Sequence, residues 1–316
     1  MRPEQAATHA RVAAWAKVNL DLRILAREDT GFHQLETIFH RISLCDLVDV
    51  RVGDGTPGIT LACAPAVDVA DEENLAWRAA AAFQHAAHWP PRDAAIAITV
   101  QKVIPTGGGL GGGSADAGAV LRALNALHPA PLATDALLTV AATLGADVPF
   151  LTSEHPCALA WGRGERMLAL PALPLRAVHG ATFRRGVNTA LAYRELALSR
   201  SDGRITAPGS MLHDLSQLAR WEEIMRFARN DFEGPVFAMR PDVAAVHAAF
   251  RAMAPDAFVR MSGSGATVFA AGAIDAQALC GLMAQWPDDG SIQLLRAATL
   301  DHVPPVSILS LPSVSR

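Results

Sequence analysis

A run of glycines carries the strongest chemical signal in this sequence. Six of the seven residues from Gly107 to Gly113 are glycine, and Ser114 follows them. Glycine loses more conformational freedom on ordering than any other residue, so such a run is typical of a backbone that must approach another group closely. The run lies between a predicted strand and a predicted helix, whose first turn offers free N–H groups and a positive dipole end to an anion. The pattern therefore predicts a phosphate-binding loop.

The spacing within the run does not by itself identify the phosphate compound. No Gly-Lys-Ser/Thr follows, as a Walker A loop would require, and the HRD and DFG signatures of protein kinases are absent from the sequence. A GxGxxG pattern is present at Gly107, Gly109 and Gly112. A dinucleotide site, however, requires a second parallel strand ending in an acidic residue about twenty positions on, and Thr134-Asp135 opens a predicted helix there. A small-molecule kinase and, more distantly, a dinucleotide oxidoreductase both stay open on these residues alone.

Hydrophobic periodicity predicts the elements that position this loop. Residues 16–25 alternate, with Ala16, Val18 and Leu20 on one face and Lys17 and Asn19 on the other, which predicts a half-buried strand. Helices are predicted at residues 73–88, 115–127, 189–198, 241–253 and 276–285, and from an N-cap at Thr134 to Gly145. Further strands are predicted at residues 48–52, 59–64, 95–104, 258–261, 267–271 and 291–297. The mixture predicts an α+β chain with a domain boundary near residue 160.

The composition narrows the classes of function. The chain has 316 residues, of which 51% are hydrophobic, enough for a sizeable core and two domains. Its net charge is −4 and its basic residues are scattered, so neither nucleic acid nor an anionic membrane is expected as the main partner. The N-terminus lacks a secretory pattern, and no apolar stretch approaches the ~18 residues needed to span a bilayer. We expect a cytoplasmic protein whose cysteines, Cys45, Cys63, Cys157 and Cys280, are buried reduced thiols.

Three segments together resemble the GHMP kinase superfamily: residues 105–116, residues 145–149 (Gly-Ala-Asp-Val-Pro) and residues 261–266 (Met-Ser-Gly-Ser-Gly-Ala). Two more, residues 16–20 (Ala-Lys-Val-Asn-Leu) and residues 31–37 (Gly-Phe-His-Gln-Leu-Glu-Thr), resemble one branch of it. That branch phosphorylates 4-diphosphocytidyl-2-C-methyl-D-erythritol in the non-mevalonate isoprenoid pathway. Weaker matches lie at residues 186–189 and 230–233. The resemblance covers most of the chain in order and spacing.

The resemblance implies a two-domain GHMP kinase fold. Residues 1–160 would form a ribosomal-S5-domain-2-like N-terminal domain that carries the ATP loop. Residues 161–316 would form a ferredoxin-like C-terminal domain, with the site between the two. The implied reaction moves the γ-phosphoryl group of ATP to the 2-hydroxyl of the substrate, with Mg²⁺ as counter-ion and its protein ligands unassigned. A GHMP kinase acting on homoserine, mevalonate or a sugar stays open, as does a non-catalytic nucleotide-binding protein of the same fold. A monomer or weak homodimer is expected.

The resemblance also implies roles for the reacting groups. Asp147 would be the general base, because a carboxylate within hydrogen-bond reach of a hydroxyl can accept its proton. Lys17 would orient Asp147 and stabilise charge on the attacking oxygen. Asn19 would bind the substrate hydroxyl or hold Lys17. Without the resemblance, Asp147 could equally be a helix N-cap or a surface carboxylate, and Lys17 a solvated strand lysine.

The remaining implied contacts are with the two substrates. Phe32 and His33 would recognise cytidine; the family usually has tyrosine at the first position, and phenylalanine keeps the stacking face but loses the phenol. Thr189 and Asp231 would lie near the substrate pocket. Ala115 replaces the second serine of the family pattern, and Asp116 is interpreted first as a helix cap. The expected ATP contacts are Pro105, Thr106, Gly107, Gly108, Gly109, Leu110, Gly111, Gly112, Gly113, Ser114 and Ala115.

Overall fold

The computed structural model describes residues 8–27, 33–53, 55–201, 214 and 216–309. These residues form two β-sheets with helices packed against them, so the α+β prediction is confirmed. Among the described residues, no helix is both long enough and apolar enough to cross a membrane.

The larger sheet has seven strands within the described residues. They are Thr8–Arg27 (β1), His33–Gly53 (β2), Gly58–Ala64 (β3), Ala95–Gln101 (β4), Cys157–Gly162 (β5), Arg166–Ala169 (β6) and Ser307–Leu309 (β11). The long strand β2 pairs with β1 along one edge and with β4 and β5 along the other, all antiparallel. β3 runs parallel to β4, β6 pairs with β5, and β11 covers the outer edge of β1.

Strand β1 differs from its prediction in the burial of its polar face. Its apolar face lies in the core, as the alternation predicts, but Lys17, Asn19, Asp21 and Arg23 are buried as well. The polar face is covered by residues far away in the sequence; Arg23 Nη2, for example, donates to the carbonyl of Phe227 over 3.0 Å. The prediction of a half-buried strand is therefore wrong. Alternation shows which side chains are polar, but it does not show that other parts of the chain pack over the polar face.

Four helices accompany the larger sheet in the described part of the chain: Leu75–Ala87 (α1), Gly112–Leu127 (α2), Thr134–Ala142 (α3) and Val148–Thr152 (α4), with a 3₁₀ turn at Asp71–Glu73 before α1. Asn74 caps α1 through a bond from Ala76 N to its side chain. The predicted cap of α3 at Thr134 is wrong by one residue. Thr134 lies in the first turn, and the cap position is taken by Ala133, whose methyl group cannot accept a hydrogen bond.

The smaller sheet has four antiparallel strands in the described residues, in the order β10-β7-β9-β8. They are Ala177–Phe183 (β7), Phe258–Met261 (β8), Val268–Ala271 (β9) and Ile292–Ala298 (β10). Its helices are Thr189–Ser201 (α5), Trp221–Phe227 (α6), Glu233–Met239 (α7), Pro241–Met253 (α8) and Ala276–Met283 (α9), with a 3₁₀ turn at Gln217–Ala219. The helix predicted at 241–253 and the strand predicted at 258–261 are confirmed to the residue.

The domain boundary and the burial of the cysteines differ from what the sequence predicts or stay undecided. The proposed boundary near residue 160 falls inside β5, and β6 and β11 also join the larger sheet, so the division into residues 1–160 and 161–316 stays a prediction. The four cysteines are free, but only Cys157 is fully buried; Cys45 and Cys63 are half-buried and Cys280 is exposed. The expectation of four buried thiols is therefore wrong in part.

Candidate active site

The glycine run forms the turn between β4 and α2. It supplies the first residues of α2, which begins at Gly112 and not at the predicted residue 115. Gly109 has a φ of +79°, and a Cβ built on it would lie 2.1 Å from the carbonyl oxygen of Ser262. Only glycine fits there, because the loop at residues 262–265 (called here the late loop) packs directly against the glycine run.

An ion-pair cluster closes the base of the glycine run. Lys102, which precedes the run, lies 2.6 Å from Asp116 in the first turns of α2 and 2.5 Å from Asp46 on β2. Asp46 Oδ1 also accepts bonds from the backbone N–H groups of Val103 and Ile104. Burial raises the pKa of Asp116 to about 7, against the opposing pull of Lys102. Asp116 therefore faces Lys102 and does not cap the helix, whose cap position is Gly111.

A cavity of ≈ 460 Å³ opens beside the run. The glycines at 107, 109, 111, 112 and 113, together with Ser114, line it. Leu110 and Ala115 are instead packed in the core, each 1% exposed, and Gly108 is also buried. Because Ala115 belongs to the core cluster, a second serine at this position would face the core and not the cavity. Pro105 and Thr106 lie on the approach to the run, outside the lining of this cavity.

Lys17 and Asp147 meet on the wall of the same cavity. Lys17 Nζ lies 3.2 Å from Asp147 Oδ2, with the lysine side chain 4% exposed and the aspartate side chain 30% exposed. Lys17 Nζ also donates to Asn19 Oδ1 over 2.8 Å and to Gly109 O over 3.1 Å. The ammonium is thus buried behind a carboxylate that still reaches the cavity.

Asn19 holds Lys17 through a fixed amide. Its Nδ2 donates to Thr37 Oγ1 over 2.8 Å, and Thr37 Oγ1 donates to Asp21 O over 2.6 Å. Its Oδ1 accepts from Lys17 and from the backbone N–H of Gly263 in the late loop. Asn19 thus contacts Lys17, as one of its two expected roles requires, and it also lines the cavity, so the expected contact with the substrate hydroxyl stays a prediction.

Asp147 lies at the N-terminal end of helix α4. Asp147 occupies the position before Val148, but its carboxylate pairs with Lys17 and leaves the helix N–H groups free of a side-chain cap. Arg41 holds the other end of α4 by donating to Phe150 O and Ser153 O over 2.7 and 2.8 Å, and to His155 O over 3.1 Å. Burial lowers the pKa of Arg41 to about 9, and nearby Arg122 adds to this effect.

The predicted cytidine segment is only partly described, because Phe32 lies outside the described residues. His33 stacks on Tyr193 of α5 with ring centroids 4.1 Å apart. Both rings line a second cavity, of ≈ 680 Å³, that continues from the first past Leu35 and Ala146. Burial and the charge of Asp147 raise the pKa of Tyr193 to about 12, so its phenol stays protonated.

The other two predicted pocket residues differ in position. Thr189 lines the first cavity, and its Oγ1 lies 2.9 Å from Ser264 Oγ in the late loop. Asp231 is buried against β1, where it accepts bonds from Ile24 N and from Arg200 Nη2 of α5, and it does not line the cavity.

Several residues at the site were missed from the sequence. Tyr193 is the chain's single tyrosine, which could have drawn attention to it. Thr37 and Asn230 lie in segments that carry the family resemblance, but the sequence does not show that Thr37 holds the Asn19 amide or that Asn230 holds the late loop. Arg41 acts through backbone carbonyls that the fold brings near, and it lies outside the matching segments. Chemically, the site combines backbone N–H groups suited to phosphate with a carboxylate–ammonium pair suited to activating a hydroxyl.

Comparison with known proteins agrees with this chemistry. The family model for the GHMP kinases N terminal domain matches residues 74–155. A 4-diphosphocytidyl-2-C-methyl-D-erythritol kinase of Solibacter usitatus is 38% identical over 275 residues, covering 83% of this chain and 80% of that protein. A crystal structure of 4-(cytidine 5'-diphospho)-2C-methyl-D-erythritol kinase matches with a TM-score of 0.68 and 32% identity, covering 92% of this chain and 98% of that one.

A more distant structure shares the fold alone. The homoserine kinase of Cytophaga hutchinsonii is 17% identical, with a TM-score of 0.64, and the match covers 98% of this chain and 99% of that one. Together the matches confirm the α+β GHMP kinase fold and the enzyme class, an ATP-dependent small-molecule kinase. The chain belongs to the 4-diphosphocytidyl-2-C-methyl-D-erythritol kinase family of the GHMP kinases.

Proposed function

We propose that this enzyme transfers the γ-phosphoryl group of ATP to the 2-hydroxyl of 4-diphosphocytidyl-2-C-methyl-D-erythritol, giving ADP and the 2-phosphate. The observation that carries the proposal is the Lys17–Asp147 pair, 3.2 Å apart on the wall of the cavity that the glycine run lines. A phosphate-binding backbone and a candidate base thus open into one space.

Asp147 is the proposed base. Its carboxylate is partly exposed to the cavity, so a substrate hydroxyl placed there can donate its proton to Oδ1 or Oδ2 as the oxygen attacks phosphorus. Lys17 fixes the orientation of that carboxylate and places a positive charge where negative charge develops on the oxygen. The proton ends on Asp147, and the phosphoryl group leaves ADP for the substrate oxygen.

The glycine run is the proposed triphosphate site. Gly112 and Gly113 are the first residues of α2 and line the cavity. The free N–H groups and the positive dipole at this N-terminal end of the helix would stabilise a bound phosphate. Mg²⁺ commonly takes one or two protein oxygens and fills its other positions with phosphate and water. The hydroxyl of Ser114 fits such a donor set, and the ion would neutralise phosphate charge when bound with ATP.

The second cavity is the proposed site of the cytidine diphosphate part. The stacked rings of His33 and Tyr193 offer an aromatic surface for a base, and such stacking contributes roughly 1–3 kcal/mol per base. The negative net charge supports an enzyme without nucleic-acid or membrane partners, and we propose that it works in the cytoplasm. We also propose a monomer or weak homodimer, which sedimentation analysis would test.

A panel of acceptor alcohols tests the proposed substrate. Purified enzyme, ATP and MgCl₂ are supplied with the diphosphocytidyl substrate, homoserine, mevalonate or galactose, and the product is identified by ³¹P NMR. We expect phosphate on the 2-hydroxyl of the first compound and no turnover of the others. Turnover of another alcohol alone would overturn the substrate assignment, and no turnover of any alcohol would favour a nucleotide-binding protein.

A further inference from the structure

Asn230 sits on a segment that is tied to the strand carrying the candidate catalytic lysine. Residue 230 forms a parallel bridge with Leu22 of β1. Leu22 N donates to Arg229 O over 2.8 Å, and Asp231 N donates to Leu22 O over 3.0 Å. The backbone of Asn230 is therefore fixed against β1, the strand that also carries Lys17.

The side chain of Asn230 clamps the start of the late loop. Asn230 is 5% exposed, and its Nδ2 donates to Met261 O and to Gly263 O, each over 2.8 Å. Its Oδ1 accepts from Phe232 N over 2.9 Å, which fixes the orientation of the amide. With both donor hydrogens used, the amide can hold residues 261 and 263 in only one arrangement.

The late loop in turn holds the two neutral acceptors of Lys17. Gly263 N donates to Asn19 Oδ1 over 3.0 Å, and Ser262 Oγ donates to Gly109 O over 2.8 Å. Asn19 Oδ1 and Gly109 O are the same two atoms that accept from Lys17 Nζ. A Cβ on Gly263 would lie 3.6 Å from Lys17 Nζ, so the loop backbone rests directly on the ammonium.

We propose that Asn230 is a positioning residue for Lys17. It fixes the late loop, and the late loop sets the places of Asn19 and Gly109, which hold the ammonium beside Asp147. The inference rests on the proposed roles of Lys17 and Asp147. It also links the smaller sheet to the proposed chemistry, because the late loop connects the end of β8, at Met261, with β9.

Asn230→Asp tests the clamp with little change of shape. The variant keeps an oxygen for Phe232 N but faces the two carbonyls with an acceptor instead of a donor. We expect kcat to fall about tenfold or more, since a misplacement of about 1 Å can cost ~10² in rate, while KM for ATP changes less than about threefold. Asn125→Asp is the matched control: Asn125 makes the same kinds of bond, with Leu132 O and Leu132 N, and should keep wild-type kcat.

A double-mutant cycle separates positioning from a general structural effect. Asn230→Asp is measured alone and combined with Lys17→Ala, with labelled ATP followed over hours so that slow turnover is still detected. If Asn230 acts through Lys17, it lowers the rate of the Lys17→Ala enzyme by less than about twofold. An equal fall in both backgrounds, or a wild-type kcat for Asn230→Asp, overturns the inference.

The same experiment distinguishes failure of the proposed function. Wild-type turnover of Lys17→Ala would overturn the role of Lys17, whatever Asn230→Asp does. Near-ultraviolet circular dichroism and a thermal melt report whether each variant is folded. If Asn230→Asp is unfolded, the cycle is repeated with Asn230→Ser, whose hydroxyl can still donate one bond and should give a smaller fall that again vanishes without Lys17.

Discussion

Lys17 and Arg41 are directly opposite each other in the antiparallel register of β1 and β2, and they hold the two ends of α4. Lys17 pairs with Asp147 before the first residue of the helix, while Arg41 donates to three carbonyls at and beyond its last turn. A cation suits that end, where the helix dipole is negative. Lys17 and Arg41, as one cross-strand pair, therefore fix the position and orientation of α4, the helix that presents the proposed base.

Replacing Arg41 should weaken both the fold and the chemistry. Arg41→Met leaves the carbonyls of Ser153 and His155 without the donor that Arg41 supplies, while Phe150 O keeps its bond from Ser153 Oγ. Each buried group left unpaired costs roughly 1–3 kcal/mol. We expect a loss of about 3 kcal/mol in the free energy of unfolding and a lower kcat in the folded enzyme. Urea unfolding and steady-state kinetics measure the two. Arg11→Met, which removes a half-exposed ion pair with Asp49, should cost less than about 1 kcal/mol; equal losses would contradict the argument.

Removing the charge of Asp147 should reduce turnover without unfolding the protein. Asp147→Asn abolishes both the proton acceptor and the ion pair with Lys17, so kcat should fall by at least ~10². The exposed Asp135 on α3 offers a control, and Asp135→Asn should leave kcat unchanged. A folded Asp147→Asn enzyme with near-normal turnover would refute the role of Asp147.

Two glycines of the run should respond to alanine in opposite ways. Gly109→Ala places a methyl 2.1 Å from the Ser262 carbonyl at a φ of +79°, so we expect lower stability from the displaced late loop. Gly113 lies in the first turn of α2, and a Cβ built on it would meet only Leu75 Cδ1, at 3.8 Å. Gly113→Ala should keep the melting temperature, or raise it slightly, and still raise KM for ATP because the methyl enters the cavity. Thermal melts and ATP titrations decide; equal melting temperatures for the two variants would contradict the packing argument.

His40 should make the fold sensitive to mild acid. Burial lowers the pKa of His40 to about 4, although its Nδ1 donates to Arg41 O. The unfolded chain takes up a proton near its ordinary pKa of about 6.5, so stability present above that pH is lost as the pH falls toward 4. The free energy of unfolding that is lost at pH 5, relative to neutral pH, amounts to about 2 kcal/mol.

Urea unfolding at pH 7.5 and pH 5 measures this contribution. His40→Asn, whose amide can replace the Nδ1 donor, should show a smaller loss between the two conditions than the wild type. The exposed His302, paired with Asp301 on the surface, is the control, and His302→Asn should keep the wild-type loss. An unchanged loss in His40→Asn would show that His40 does not cause it.

Replacing Tyr193 should weaken binding of the diphosphocytidyl substrate and leave ATP binding unchanged. Tyr193→Leu removes the ring that stacks on His33, so KM for the diphosphocytidyl substrate should rise roughly tenfold or more while KM for ATP stays near the wild-type value. Tyr193→Phe keeps the ring and should behave like the wild type. If both variants raise KM for ATP instead, the second cavity does not hold the base.

The sequence predicted this site unevenly, for a physical reason. The glycine run, Lys17 and Asp147 stand in short local patterns, and local patterns survive in a linear reading. Arg41 contacts backbone carbonyls through tertiary packing, which leaves no periodicity or spacing in the sequence. Asn230 lies in a weakly matching segment, but its contacts with residues 261 and 263 depend on the fold. The strand β11, of three residues, is likewise too brief to show a period of two. The burial of Arg23 depends on Phe227, about 200 positions away in the chain.

The hydrogens of Lys17 have a bearing on inhibitor chemistry. An ammonium has three donors, and three oxygens already lie within 3.2 Å of this one: Asn19 Oδ1, Gly109 O and Asp147 Oδ2. An acidic warhead aimed at Lys17 would exchange one existing bond for another and would meet the charge of Asp147. Compounds that stack on Tyr193 or fill the space above Gly113 should therefore gain more affinity per atom than compounds designed to capture the lysine.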